Sequence, residues 1–250
     1  MSASLKLYLF FLKVSKRLSL ALLINLVNTR CKGCECRGPK TMYIPSAFLE
    51  DDLSTLHELM DSSGLANIIT ATSEGITATP MPLWLAPAEG AFGTLYGHLA
   101  RANPQWTQKP TADAMALFTG PDAYISPSWY PSKQAHHKVV PTWNYIAIHA
   151  YGPIEFFEDE ARLLHIVRNL TTRQERLQPQ PWKVEDAPSD YIHSMLKAII
   201  GVRLPITRLE GKRKMSQNRS AQDRQGVAAG LSRSPHESVR DVGALIPLQD

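Results

Sequence analysis

A chain of 250 residues, 44% hydrophobic and 20% charged, has the make-up of a globular protein, and its 18 prolines favour many short elements over long helices. The net charge of +4 is unevenly spread: residues 1–41 carry eight Lys/Arg against one Glu, residues 42–202 ten against 17 acidic, and residues 203–250 nine against five. An acidic body repels a polyanion, so broad electrostatic binding to DNA is not supported and any anion site must be local.

Residues 1–41 read as a separate extension. They hold all three cysteines, Cys31, Cys34 and Cys36, which leaves the body without a disulfide framework or a thiol nucleophile. CKGCEC lacks the second ligand cluster that a closed four-ligand site wants, so no metal is expected. The stretch LKLYLFFLKVSKRLSLALLINLV is apolar, but Lys13, Lys16 and Arg17 interrupt it well short of the roughly 20 residues a membrane span needs. Its charges lie mid-segment, unlike those of a secretory signal. An interfacial or targeting helix is one reading. The other is a mis-assigned start, because Met42 opens MYIPSAFLEDDLSTLHELM in the manner of a native N-terminus.

From Met42 onward the elements are short. Leu53, Leu56, Leu59 and Met60 fall at helical spacing and stop before Gly64. LANIITAT and ITATPMPLWLAP flank a Ser-Glu-Gly turn as a hairpin, and Pro80 and Pro82 mark the second strand as an edge or a bulge. GTLYGHLA, DAMALFTG, AYISPSWY and VPTWNYIAIHAYG add further extended segments. EDEARLLHIVRNLTTRQE and SDYIHSMLKAIIG carry apolar helical stripes. VRLPITRLEGKRKMSQN returns as strand, SAQDRQGVAAGLSRS reads as a last helix, and residues 233–250 as a polar tail. Six or seven strands with marginal helices and no βαβ rhythm predict a mainly β, α+β fold over residues 42–232, a small antiparallel barrel.

Three stretches could carry chemistry. In YGHLARANPQW, Asn103 and Pro104 supply an N-cap and a first-turn proline, with Arg101 just ahead to meet an anion. The bland alternative is a capped turn beside a solvated arginine. In LEGKRKMSQNRS, Lys212, Lys214 and Ser216 share one side of an extended chain; with an amide from Gln217 or Asn218 they could hold a phosphate or a ring edge. The third is aromatic: Trp129, Tyr130, Trp143 and Tyr145 are interleaved with Ser126, Ser128, Thr142 and Asn144, which suits either a flat heterocycle or a packed core. VPTWNYIAIHAYG is odd in this respect. Both faces of the strand ask for burial, yet it begins with a polar cluster. Nucleotide-loop, nucleophile-elbow and zinc-protease signatures are absent, as is a helix-turn-helix pair with a basic recognition helix.

Taken in order, MYIPSAF, LYGHLARANPQW, GPDAYISPSWYPSK, VPTWNYIAIHAYG and RLEGKRKMSQNR followed by DRQGV resemble the PaiB family of FMN-binding negative transcriptional regulators, from Met42 to about Leu231. The resemblance implies an FMN-binding split β-barrel that forms a homodimer in the cytoplasm, holds flavin near the subunit interface and represses genes, on DNA directly or through a partner protein. No membrane role is implied for the body. The flavin contacts it implies are His98, Arg101 and Asn103, then Thr142, Trp143 and Asn144, then Lys214, Ser216, Gln217 and Asn218, with Arg101 on the phosphate. Related split barrels include pyridoxamine-phosphate oxidases, so a flavin-dependent oxidoreductase acting on a small molecule is the alternative.

Overall fold

Alternating burial along the strands resolves into two antiparallel sheets in a computed structural model that describes residues 42–249. The cysteine cluster, the apolar stretch and the extension expected over residues 1–41 lie outside the described residues. The six-stranded sheet runs in the order β1 (Leu49–Glu50), β10 (Arg208–Lys214), β7 (Thr142–Gly152), β6 (Ala114–Ile125), β2 (Ala66–Thr72), β3 (Gly75–Met81). The four-stranded sheet runs β4 (Trp84–Ala86), β5 (Thr94–Ala100), β9 (Ile199–Pro205), β8 (Glu155–Phe157). Inward residues of the first sheet (Ile68, Ala116, Phe118, Ile146, Ile148) and of the second (Leu95, Leu99, Ile200, Val202, Leu204) form one core cluster. Two sheets around a single core, with helices outside, is the split-barrel arrangement expected.

Helices close the open faces. α1 (Leu53–Ser62) is capped by Asp52, whose carboxylate accepts from the Thr55 N–H. α2 (Ser132–His136) is a short turn between β6 and β7. α3 (Glu160–Glu175) and α4 (Ser189–Leu196) cover the outer face of the four-stranded sheet through Leu163, Ile166, Leu170 and Leu196 against Phe157. α5 (Ala221–Leu231) follows β10. No helix among the described residues is long and apolar enough to cross a membrane.

Several elements differ from the sequence expectation. ITATPMPLWLAP is divided between β3 and β4 and VRLPITRLEGKRKMSQN between β9 and β10, each pair lying in different sheets, and SDYIHSMLKAIIG is helical only to Leu196, its Ile199 to Gly201 opening β9. DAMALFTG and AYISPSWY share one strand, β6, which continues through Gly120-Pro121 by a bulge: Thr119 faces Ala147 but Asp122 faces Tyr145, three residues against two. Gly120 lies so close to β7 that a Cβ there would stand 2.9 Å from the Ile146 Cβ, and proline is tolerated where the ladder is already interrupted. Residues 233–250 contain a helix, α6 (Glu237–Ala244), whose Val242 is fully buried, as is Ile246 just beyond it. With Val239 and Leu245 packed beside them, these two dock a segment that looks solvated in sequence.

Candidate functional site

The polar start of β7 is explained by the turn that follows β10. Asn144 is completely buried; its amide donates to the Ser216 hydroxyl at 3.0 Å and its carbonyl accepts from that hydroxyl at 3.3 Å. Ser216 is placed there by a left-handed backbone, φ 64°, unusual for a residue with a side chain. Gln217 closes the same turn, accepting from the Met215 N–H and donating to the Arg213 carbonyl, both at 2.6 Å. Removing the amide would strand a buried hydroxyl. Asn144→Ala is therefore expected to cost about 1–3 kcal/mol in urea unfolding, and a loss below about 0.5 kcal/mol would mean that the pair is not structural.

Around this turn cations gather. Lys214 stands opposite Tyr145 and donates to the Thr142 hydroxyl, so the first motif residue of β7 orients the last residue of β10. Lys212, nearly buried, donates to the Tyr43 carbonyl at 3.0 Å, with its ammonium 5.1 Å from the Tyr145 ring centre. The Arg219 guanidinium lies 4.8 Å over the Tyr130 ring. Burial holds the Lys214 ammonium below the ordinary lysine pKa; nearby Tyr145 opposes this, and Lys212 and Arg219 add to it. None of the three forms an ion pair among the described residues. Partly desolvated cations held together without a counter-charge favour an incoming anion.

Two residues from Tyr145 along β7, Trp143 is 53% exposed and meets Tyr124 edge to face, ring centres 6.1 Å apart. Trp129 instead packs on α5, where Gly226 and Gly230 admit it: a Cβ at Gly226 would sit 2.1 Å from the Trp129 carbonyl oxygen. Asp223 fastens the same segment, accepting from the Ser132 N–H and hydroxyl. The aromatic cluster thus divides, Trp129 and Tyr130 packed and Trp143 presented. Asn218 is exposed past the turn.

His98, Arg101 and Asn103 lie elsewhere. His98 sits on the outer face of β5, its Nδ1 buried without a hydrogen-bond partner, and burial lowers its pKa. Arg101 donates from Nε to the Lys197 carbonyl at 2.6 Å and pairs with Glu158 at 2.8 Å. Asn103 caps the 3-10 turn Pro104–Thr107, accepting from the Gln105 N–H and donating to the Thr79 hydroxyl of β3. Gln105, 1% exposed, completes the network: it accepts from Thr79 at 2.6 Å and donates to Thr70 at 2.9 Å. In the strand order β7, β6 and β2 separate β3 from β10, so Thr142, Asn144, Lys214 and Ser216 come together within one chain and Asn103 stays apart. Arg219 and Gln105 escaped the sequence reading. Arg219 follows the basic run after a turn, and a buried glutamine carries no periodic signal.

Residues 42–208 match the family described as "Putative FMN-binding domain". The chain is 33% identical over 227 residues to the uncharacterized protein AN0679 of Emericella nidulans, covering 76% of this chain and 90% of that one. It is 28% identical over 206 residues to Bacillus subtilis protease synthase and sporulation protein PAI 2, covering 82% and 96%. Among solved structures, a conserved hypothetical protein from Mycobacterium tuberculosis, Rv2991, aligns at 13% identity and TM-score 0.47, covering 69% of this chain and 90% of that one. The flavocytochrome Anf3 of Azotobacter vinelandii aligns at 18% and 0.47, covering 67% and 69%.

Proposed function

The chain belongs to the PaiB family of FMN-binding domains, and from that premise we propose that it is a cytoplasmic, homodimeric FMN protein of the negative-regulator type, with the flavin phosphate held at Lys214. The observation that carries this reading is the uncompensated group Lys212, Lys214 and Arg219, with both lysines near the Tyr145 ring and Trp143 exposed two residues away on the same strand. Arginine and lysine hold phosphate by charge-assisted hydrogen bonds, and an exposed indole offers a face to a flat heterocycle. Arg101, already engaged by Glu158 and a carbonyl, suits the phosphate less well than the sequence resemblance implied.

Bound FMN supplies reversible one- and two-electron chemistry. The work of this chain is positional. Thr142 fixes the Lys214 ammonium, the Asn144–Ser216 pair holds the two strands in register behind it, and Trp143 screens the ring from water. A second copy accounts for two further features: the separation of His98 and Asn103 from this group, and the half-buried or exposed apolar side chains Ile69, Ile76, Met115 and Leu117 on the outer face of the six-stranded sheet. The acidic body favours repression through a partner protein over direct operator contact.

Titration of the full chain with FMN and riboflavin, followed by visible absorbance, tests the cofactor; sedimentation of the same samples tests the dimer. Trp143→Ala is expected to weaken both flavins about tenfold or more, the loss of roughly one stacked base to an aromatic side chain. Undiminished affinity in an intact dimer removes Trp143 from the site. Turnover of reduced nicotinamide by the FMN-loaded protein would instead place it among the oxidoreductases.

A further inference from the structure

The outer face of the four-stranded sheet carries a second constellation that the flavin reading does not use. One cross-strand row, Trp84 on β4, Tyr96 on β5, Arg203 on β9 and Glu155 on β8, runs in register across all four strands. Apart from His98, the rest of this face is apolar and packed under α3 and α4. The row is polar and linked end to end. Glu89, in the β4–β5 turn, accepts from the Tyr96 hydroxyl at 2.5 Å; that hydroxyl accepts from Arg203 Nε at 3.2 Å. Arg203 lies 3.7 Å from one oxygen of Glu155, whose other oxygen accepts from Arg162 of α3 at 2.7 Å. The Arg162 guanidinium stacks 3.6 Å above the Phe157 ring.

Over this row opens a cleft of about 330 Å³, lined by Glu89, Tyr96, Phe157, Arg162, His165 and Ile166. That is the low end of small-ligand pockets, which run from about 300 to 1,000 Å³. Its charges are arranged as a dipole. Glu155 serves both arginines, so Arg162 retains guanidinium N–H groups for a second acceptor. Glu89 uses one carboxylate oxygen for Tyr96 and keeps the other. A simple anion would meet Glu89, and a simple cation would meet Arg162. The ligand that satisfies both ends carries both charges.

We propose that this cleft binds a small zwitterion of the α-amino-acid type, its ammonium on Glu89, its carboxylate on Arg162 and an apolar side chain against Ile166. Planar guanidinium suits a carboxylate, and the stack on Phe157 presets its orientation. The site is independent of the flavin pocket.

Isothermal titration of the full chain with free L-leucine, 3-methylbutylamine and 4-methylpentanoate tests it, since the last two are leucine without its carboxylate and without its ammonium. Leucine is expected to bind saturably, each truncated compound at least tenfold more weakly. Glu89→Gln, at an exposed turn, is expected to lose at least tenfold in leucine affinity while its thermal unfolding and FMN titration stay unchanged. Tyr96→Phe, which frees Glu89 from its donor but keeps the ring, should retain binding. Absence of leucine binding, equal binding of the amine or the acid, or full affinity in Glu89→Gln would overturn the assignment.

Discussion

Lys214→Met is expected to weaken FMN by roughly 10- to 150-fold, the worth of one charge-assisted hydrogen bond of about 1.5–3 kcal/mol, and to leave riboflavin within about threefold, because a ligand without phosphate would never make that bond. The contrast between the two ligands is what locates the phosphate, since both would suffer alike from a damaged fold. The site also sets a pH dependence. Burial, with Lys212 and Arg219, keeps the Lys214 ammonium below the ordinary lysine value. Phosphate binds the protonated form, so FMN affinity should hold through neutral pH and fall as pH rises through that lowered pKa, while riboflavin affinity stays flat. In Lys214→Met the alkaline fall should vanish. Arg101→Ala, by comparison, breaks a half-exposed pair with Glu158 and should leave the FMN-to-riboflavin ratio unchanged. If Arg101→Ala changes that ratio and Lys214→Met does not, the phosphate lies at the other motif.

Gly152→Ala is expected to destabilise the protein by about 3 kcal/mol or more, lowering the melting temperature by roughly 6–12 °C for a chain of this size. Gly152 ends β7 where the two sheets approach: a Cβ there would stand 1.9 Å from the Pro205 carbonyl oxygen and 3.0 Å from its carbonyl carbon. Both atoms are main chain, and the neighbouring Thr207 N–H is already bonded to the Tyr151 carbonyl at 2.8 Å. No side chain can rotate out of the way, so the seam between the sheets must open. Gly201 makes an instructive contrast, because its added Cβ would meet only the Phe157 ring at 2.4 Å, which can move at lower cost. Gly64→Ala, with nothing within 4 Å, should be neutral in the same melting experiment. A Gly152→Ala protein that melts with the parent would show that the seam is compliant.

How much of this was legible beforehand depended on the kind of signal. Strands with one buried face announce themselves by alternation, so β2, β5 and β7 were visible, as were α1 and α3 with their apolar stripes, while β9 was merged with β10 and its first residues read as helix. Gly120-Pro121 hid the continuity of β6, because a strand-breaking dipeptide, the same one that follows β7 at Gly152-Pro153, here sits inside a bulge. The polar opening of β7 stood out as an anomaly, but its partner Ser216, 72 residues away, could be matched to Asn144 only in three dimensions. The second and third motifs lie together in the fold, Lys214 on Thr142 and Ser216 on Asn144. The first motif could not say that Arg101 would be drawn to Glu158, or that Asn103 would be spent on Thr79 and Gln105, since both bonds depend on contacts across sheets.

The bulge in β6 carries one residue more than its partner strand requires, and the side chains on either side of it keep their facing: Phe118 and Ala123 point to the core, Thr119 and Asp122 away. Deleting Pro121 alone would therefore leave Gly120 opposite Ile146 and preserve the pairings from Asp122 to Ile125. The cross-strand pairs on both sides would be kept while the extra residue of the bulge was lost. Curvature and composition, which ordinary substitutions change together, are separable at this point of the barrel, and the direction in which Tyr124 and Trp143 are aimed becomes a variable that can be set by chain length alone.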